Sequence, residues 1–245
     1  MISRKSGMLT AAIAIPTLGL IACVWGDSSV DGEIFIDGDF AGAPANFPPT
    51  CDGEQSSSGD ISRPVSAIQA IGDSLLAMHK EEGLSIPDAL AQELDIPLAH
   101  NAVSGAELAE RDIQNQYEPG LGSHVIVTGG ANDLARECSQ ANLDQLISAD
   151  LRSGLMVDLV NEIGQSGSQA LLTSYFTPYN GEIGCPLFKD LLSRYRALGE
   201  ARADAVYICT LDIILPGQTE LYADSVHPSD IGSEKIGLAI ADMLR

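Results

Sequence analysis

The chain has 245 residues, 45% of them hydrophobic and 19% charged, the composition of an ordinary globular protein with enough length for a well-buried core. Its charge is lopsided, with 13 Lys and Arg against 34 Asp and Glu and a formal net charge of −21. Such a field repels nucleic acid and anionic surfaces, and no basic cluster is present to hold phosphates, so nucleic-acid partners are excluded.

The first residues, MISRKSGMLTAAIAIPTLGLIAC, read as a targeting segment over 1–22. Arg4 and Lys5 precede an apolar stretch from Met8 to Ala22 that is too short to span a bilayer and is interrupted by Pro16. A simple secretory cleavage site wants a small residue where Leu20 stands. Leu20-Ile21-Ala22-Cys23 instead resembles the lipobox of bacterial lipoprotein signals. That resemblance implies lipidation of Cys23, contact with a membrane through the lipid anchor only, and a place in the bacterial cell envelope, facing the periplasm or the outside. The competing reading is a secreted protein cleaved a few residues later, after Gly26. Lipidation of Cys23 leaves Cys51, Cys138, Cys185 and Cys209. In an oxidising compartment these are expected to form two disulfides, with three connectivities open. None has C-x-x-C spacing or a nearby histidine pair, so no metal site is expected.

Residues 23–62 are rich in Gly, Asp, Ser and Pro with little periodicity, as a flexible tether is. Asp31, Asp37 and Asp39 do not have the spacing of a calcium loop. From Arg63 onward, short apolar runs alternate with helical patterns. Strands are expected in PVSAIQAIG (64–72), LAHNAV (98–103), HVIVTGG (124–130), ALLTSYF (170–176) and AVYICTL (205–211). These runs are uniformly apolar rather than alternating, as strands buried on both faces are. In DLRSGLMVDLVNEIG, Leu151, Leu155, Leu159 and Ile163 recur every four residues and predict one helix face. A last helix after Pro228 places Ile236, Ile240 and Met243 on one side, with the proline suited to its first turn. Residues 63–245 are thus expected to form one α/β domain, a doubly wound sandwich around a five-stranded parallel sheet. In such folds sites form at the carboxyl ends of the strands.

The ends of these strands carry the chemistry. The first runs into AIGDSLLAM, which sets Ser74 behind Gly72 and Asp73 at the opening of a helix. There, free N–H groups and the helix dipole favour a developing oxyanion. Gly-Asp-Ser recurs in WGDSS at 25–29, where no strand precedes it, so the tripeptide alone carries nothing. The second strand closes on NAVSGAEL with Gly105, and the third on VTGGANDLA with Asn132. Near the end of the chain, ELYADSVHPSDIG puts Asp224 three residues before His227. Of the four histidines, His79, His100, His124 and His227, only His227 has a carboxylate that close in a tight turn. Singly, Gly105 is an ordinary turn glycine, and Asn132 and Asp224 are ordinary caps. Together they point to a nucleophile, a base with an orienting carboxylate, and donors for an oxyanion.

Gly-Asp-Ser-Leu at 72–75, Gly105, Gly-x-Asn-Asp at 130–133 and Asp-x-x-His at 224–227 resemble, in this order, the four blocks of the SGNH/GDSL hydrolases. The resemblance runs from about Pro64 to the end of the chain. It implies a flavodoxin-like three-layer α/β/α fold and ester or thioester hydrolysis with no metal or other cofactor. It makes Ser74 the nucleophile, His227 the base and Asp224 the orienter of its ring. The backbone N–H groups of Ser74 and Gly105, with the side-chain amide of Asn132, become the oxyanion hole. Asp73 is the rival for the orienting role, but beside the nucleophile its side chain is expected to point away. The chain has no Gly-x-Ser-x-Gly elbow and no Walker or dinucleotide glycine fingerprint.

The segment LLAMHKEEG after the serine lacks the small polar residues common there in the family, which leaves the acyl pocket open in shape. Leu75, Leu134, Tyr175, Phe176, Tyr179 and Val226 are candidates to line it, unless the aromatics only pack their loop. Cys138 and Cys185 both fall at the catalytic edge, so a disulfide bracing its rim is expected, which leaves Cys51 to pair with Cys209. No long insertion offers a lid. A shallow site for short acyl or acetyl esters, small-molecule or glycan-linked, is therefore expected. A lysophospholipase or thioesterase stays open, as does a catalytically silent cell-surface binding lipoprotein on the same fold.

Overall fold

A computed structural model describes Cys51 and residues 57–58, 60–179 and 184–245. The expected signal segment, Cys23 and most of the expected tether lie outside these residues. Six strands form one sheet: β1 (Ser57–Ser58), β2 (Ile68–Ile71), β3 (Leu98–His100), β4 (His124–Val127), β5 (Gln169–Thr173) and β6 (Ala205–Ile208). Their order is β1-β6-β5-β4-β2-β3. All pairings from β6 across to β3 are parallel, and β1 runs antiparallel to β6. The five parallel strands have the flavodoxin-like order, whose direction of winding reverses between β2 and β4 and leaves a crevice there.

The five parallel strands are those expected from the apolar runs, and each is shorter than its run because the run continues into a loop. β1 was not expected. It lies within 23–62, and so does Cys51, whose N–H donates to Asp212 at 2.8 Å and whose sulfur is bonded to Cys209. The Asp60 carbonyl also accepts from Gln169 at 2.8 Å. Cys51, Ser57, Ser58 and Asp60, which fall within the expected tether, are thus joined to the folded domain by strand pairing, a hydrogen bond and the expected Cys51–Cys209 disulfide.

Side chains alternate across the sheet and build two cores. Val125 and Val127 of β4 join one, and Ile126 the other; Ala170 and Leu172 are likewise separated from Leu171 on β5. One face is covered by α2 (Ile86–Leu94) and α8 (Asp230–Met243), through Ile86, Leu90, Ile236 and Ile240. The other is covered by α6 (Leu155–Gln165) and α7 (Phe188–Ala201), through Leu159, Ile163, Leu191 and Tyr195. Three layers result, as expected.

Two helix boundaries differ from the sequence pattern. Leu151 shares the four-residue stripe but precedes α6, with φ of +61°. Gly154, at φ +122°, stops the helix from extending back to it, and a Cβ there would lie 2.6 Å from the Leu146 carbonyl oxygen. Pro228 is not in the first turn of α8. Ser229 caps that helix by accepting from Gly232 N–H at 3.1 Å, and Pro228 instead bridges to Tyr222.

Candidate active site

The turn that carries Ser74 is built from β2. Gly72 stands at φ +147°, and a Cβ on it would come 2.3 Å from Thr128 Oγ1. Glycine is thus required for Thr128, just past β4, to press against the turn. Asp73 then caps the short helix α1 (Ser74–Ala77) by accepting from Leu75 N–H at 3.1 Å. Ser74 follows as its first residue, at the crevice between β2 and β4.

Asp224 and His227 come from the loop before α8. One Asp224 oxygen accepts from both Val226 N–H and His227 N–H, each at 2.8 Å. This closes the tight turn and leaves the second oxygen 2.7 Å from His227 Nδ1. Partial burial raises the Asp224 pKa, but the hydrogen bonds from the His227 ring and the two backbone amides outweigh it and hold the carboxyl below its usual range. An ionised carboxylate only accepts, so Nδ1 carries the proton and Nε2 is the acceptor. Nε2 stands 2.9 Å from Ser74 Oγ. Serine, imidazole and carboxylate therefore form one continuous hydrogen-bonded chain.

Asp73 does not compete for this role. It is 1% exposed and turns inward to accept from Thr128 Oγ1 at 3.0 Å and from the Tyr175 hydroxyl. Burial raises its pKa in spite of these donors.

Gly105 lies on an exposed turn at φ +79°. Two consecutive residues of α4 (Ala131–Arg136) pin the loop that follows it. Asn132 Nδ2 donates to the Ala106 carbonyl at 3.0 Å. The buried Asp133 accepts from Leu108 N–H at 3.1 Å and Ala109 N–H at 2.8 Å, and burial pushes its carboxyl up. An amide nitrogen has two donor hydrogens, so Asn132 keeps one for a ligand. Ser74, Gly105 and Asn132 all border the same cavity.

That cavity has a volume of about 690 Å³. Leu75, Leu134, Tyr175, Phe176 and Val226 border it together with Met78, Phe188 and His227. Tyr179 does not; its ring packs edge-on against Tyr222 with centroids 5.4 Å apart. Both disulfides form as Cys138–Cys185 and Cys51–Cys209, and the first is itself part of the cavity wall. The cavity wall is assembled from the segments that follow β2, β3, β4 and β5 and from the loop before α8.

Sequence reasoning missed two residues here, Thr128 and Asp133, and the role of the Tyr175 hydroxyl. Thr128 and the Tyr175 hydroxyl hold Asp73, and Asp133 fixes the Gly105 loop. Asp133 carried a signal as the last residue of Gly-x-Asn-Asp, Tyr175 only as a candidate for the cavity wall, and Thr128 none.

The fold and this chain of side chains are those of a hydrolase of the SGNH kind, with Ser74 at the head of the βα turn after β2. The sequence model of the GDSL-like Lipase/Acylhydrolase family matches residues 70–235, more than half of the chain, and the protein belongs to that family. Solved structures share the fold. A psychrotrophic esterase from Pseudoalteromonas sp. is 21% identical with a TM-score of 0.55, the match covering 73% of this chain and 96% of the other. An acetylxylan esterase from Geobacillus stearothermophilus is 17% identical with a TM-score of 0.53, over 73% and 94% of the two chains. A protein from Lactobacillus plantarum is 18% identical with a TM-score of 0.58, over 74% and 97%. Among curated protein sequences none matches the chain.

Proposed function

We propose that the protein hydrolyses carboxylic esters through an acyl-enzyme on Ser74. The observation that carries this reading is the single imidazole held between two partners, Ser74 Oγ at 2.9 Å and Asp224 at 2.7 Å. His227 Nε2 takes the Ser74 proton as Oγ attacks the acyl carbon, and Asp224 stabilises the imidazolium that forms. The carbonyl oxygen becomes an oxyanion facing the N–H groups of Ser74 and Gly105 and the free amide hydrogen of Asn132. His227 then gives its proton to the leaving alcohol. Water, deprotonated by the same nitrogen, repeats the attack and frees the acid.

The cavity supports an uncharged, apolar acyl group. Among the described residues bordering it none is Lys or Arg, and the net charge of −21 disfavours anionic substrates. Its volume of about 690 Å³ falls in the range of pockets for drug-sized ligands, ~300–1,000 Å³, so acyl groups longer than acetyl have room. A lysophospholipase would have to draw a phosphate-bearing leaving group into this acidic field, which favours neutral esters over that alternative. A silent binding protein has no physical need of the Ser74–His227–Asp224 geometry. The lipobox-like Leu20–Cys23 supports an envelope-anchored enzyme acting on esters that reach the cell surface.

The test is turnover of p-nitrophenyl acetate, butyrate and octanoate by the wild type and Ser74→Ala. A fall of about 10⁴-fold or more is expected in the variant. Equal activity in both proteins would remove Ser74 from the mechanism.

A further inference from the structure

Tyr175 lies two residues beyond β5, and its side chain reaches two places at once. Its ring tilts against Phe188, with centroids 5.2 Å apart, and both rings border the acyl cavity. Its hydroxyl donates to Oδ2 of Asp73, 102 residues earlier in the chain. The other Asp73 oxygen accepts from Thr128 Oγ1 and Leu75 N–H. Asp73 is 1% exposed, so in the folded protein its carboxyl is held by these donors. Burial keeps the Tyr175 phenol well above its ordinary pKa, and it stays a donor. Asp73 is the cap of the four-residue helix that Ser74 opens, so the carboxylate's orientation governs where the Ser74 N–H and Oγ point.

We propose that Tyr175 is a positioning residue that ties the fit of the acyl group to the nucleophile. An acyl chain seated on the ring holds the hydroxyl on Asp73, and Asp73 holds the Ser74 turn in the geometry that oxyanion formation needs. A substrate whose acyl group is too short to press on the ring gains less from this linkage. The inference rests on the serine-hydrolase reading above and adds a reason for turnover, not only binding, to depend on acyl length.

The experiment compares kcat and KM on p-nitrophenyl acetate, butyrate and octanoate for the wild type, Tyr175→Phe and Thr128→Val. Wild-type kcat is expected to rise with acyl length. Tyr175→Phe keeps the ring as a cavity wall, so KM stays within about two-fold while kcat on octanoate falls about 10-fold or more and the rise flattens. Thr128 does not border the cavity. Thr128→Val removes the donor to the other Asp73 oxygen and is expected to lower kcat at unchanged KM in the same way, which keeps the test open should Tyr175→Phe not fold. A folded Tyr175→Phe with wild-type kcat and chain-length profile, or with its whole loss in KM, overturns the proposal. A wild type that neither hydrolyses these esters nor is labelled at Ser74 by a fluorophosphonate overturns the hydrolase reading, and this inference with it.

Discussion

The two disulfides have different positions, and removing them separately distinguishes stability from function. Cys138–Cys185 closes a loop of 47 residues and borders the cavity. Cys51–Cys209 spans 158 residues and does not border it. On the chain-entropy account, closing these loops in the unfolded chain is worth about 4 and about 5 kcal/mol, growing only with the logarithm of length. For a domain of this size each kcal/mol moves the melting temperature by roughly 2–4 °C. The paired variants Cys138→Ala/Cys185→Ala and Cys51→Ala/Cys209→Ala are therefore each expected to melt about 8–20 °C lower. Their effects on catalysis are expected to differ. Loss of the first bond frees the segment beside Gly184 and Phe188, both of which border the cavity, and broadens the acyl-length profile. Loss of the second leaves that profile as in the wild type. The assay is calorimetric melting beside hydrolysis of the ester series. An altered profile in the Cys51/Cys209 variant with an unaltered one in the Cys138/Cys185 variant would refute the placement of the two bonds.

Two further outcomes follow from the carboxylates. Asp224→Asn turns the acceptor that fixes the His227 tautomer into a group that can present a donor, and kcat is expected to fall on the order of 10⁴-fold with little change in melting temperature; a fall below ten-fold would show that the ring is oriented without it. Burial raises the folded-state pKa of Asp73 above 3.8. The folded protein then holds this proton more tightly than the unfolded chain, so Asp73 subtracts stability as pH rises from 3.8 through that raised pKa. Relative to Asp73→Asn, the wild type is expected to lose stability across that window in urea titrations. An unchanged or growing difference in its favour would contradict the sign.

How much of this was legible in the sequence follows from how local each signal is. The parallel strands show because burial on both faces demands uninterrupted apolar runs, as in HVIV of β4 and QALLT of β5. Ser74, Gly105, Asn132, Asp224 and His227 show because they fall in short motifs whose order along the chain is that of the family's blocks. Local pattern fails where the deciding partner is remote. Nothing near Asp73 announces a tyrosine 102 residues away or a threonine 55 away. The cavity wall is assembled from several separate segments, and none of them alone announces it. Leu151 fits the helical stripe of α6, but Gly154 between them ends the helix. β1 is a pair of serines with no apolar periodicity, and only pairing with β6 makes it a strand.

That small strand has a consequence for the molecule in company. Without it, β6 would end the sheet with its outward N–H and C=O groups bare, an invitation to strand addition from a second chain. β1 covers Tyr207 and Ile208 of that edge and is itself too short to serve as a template, while the opposite edge, β3, has only three residues. The cover is fastened by Cys51–Cys209. Guarding against self-association thus falls in part to a disulfide, and a chain in which that bond is reduced is expected to have its β6 edge the less protected.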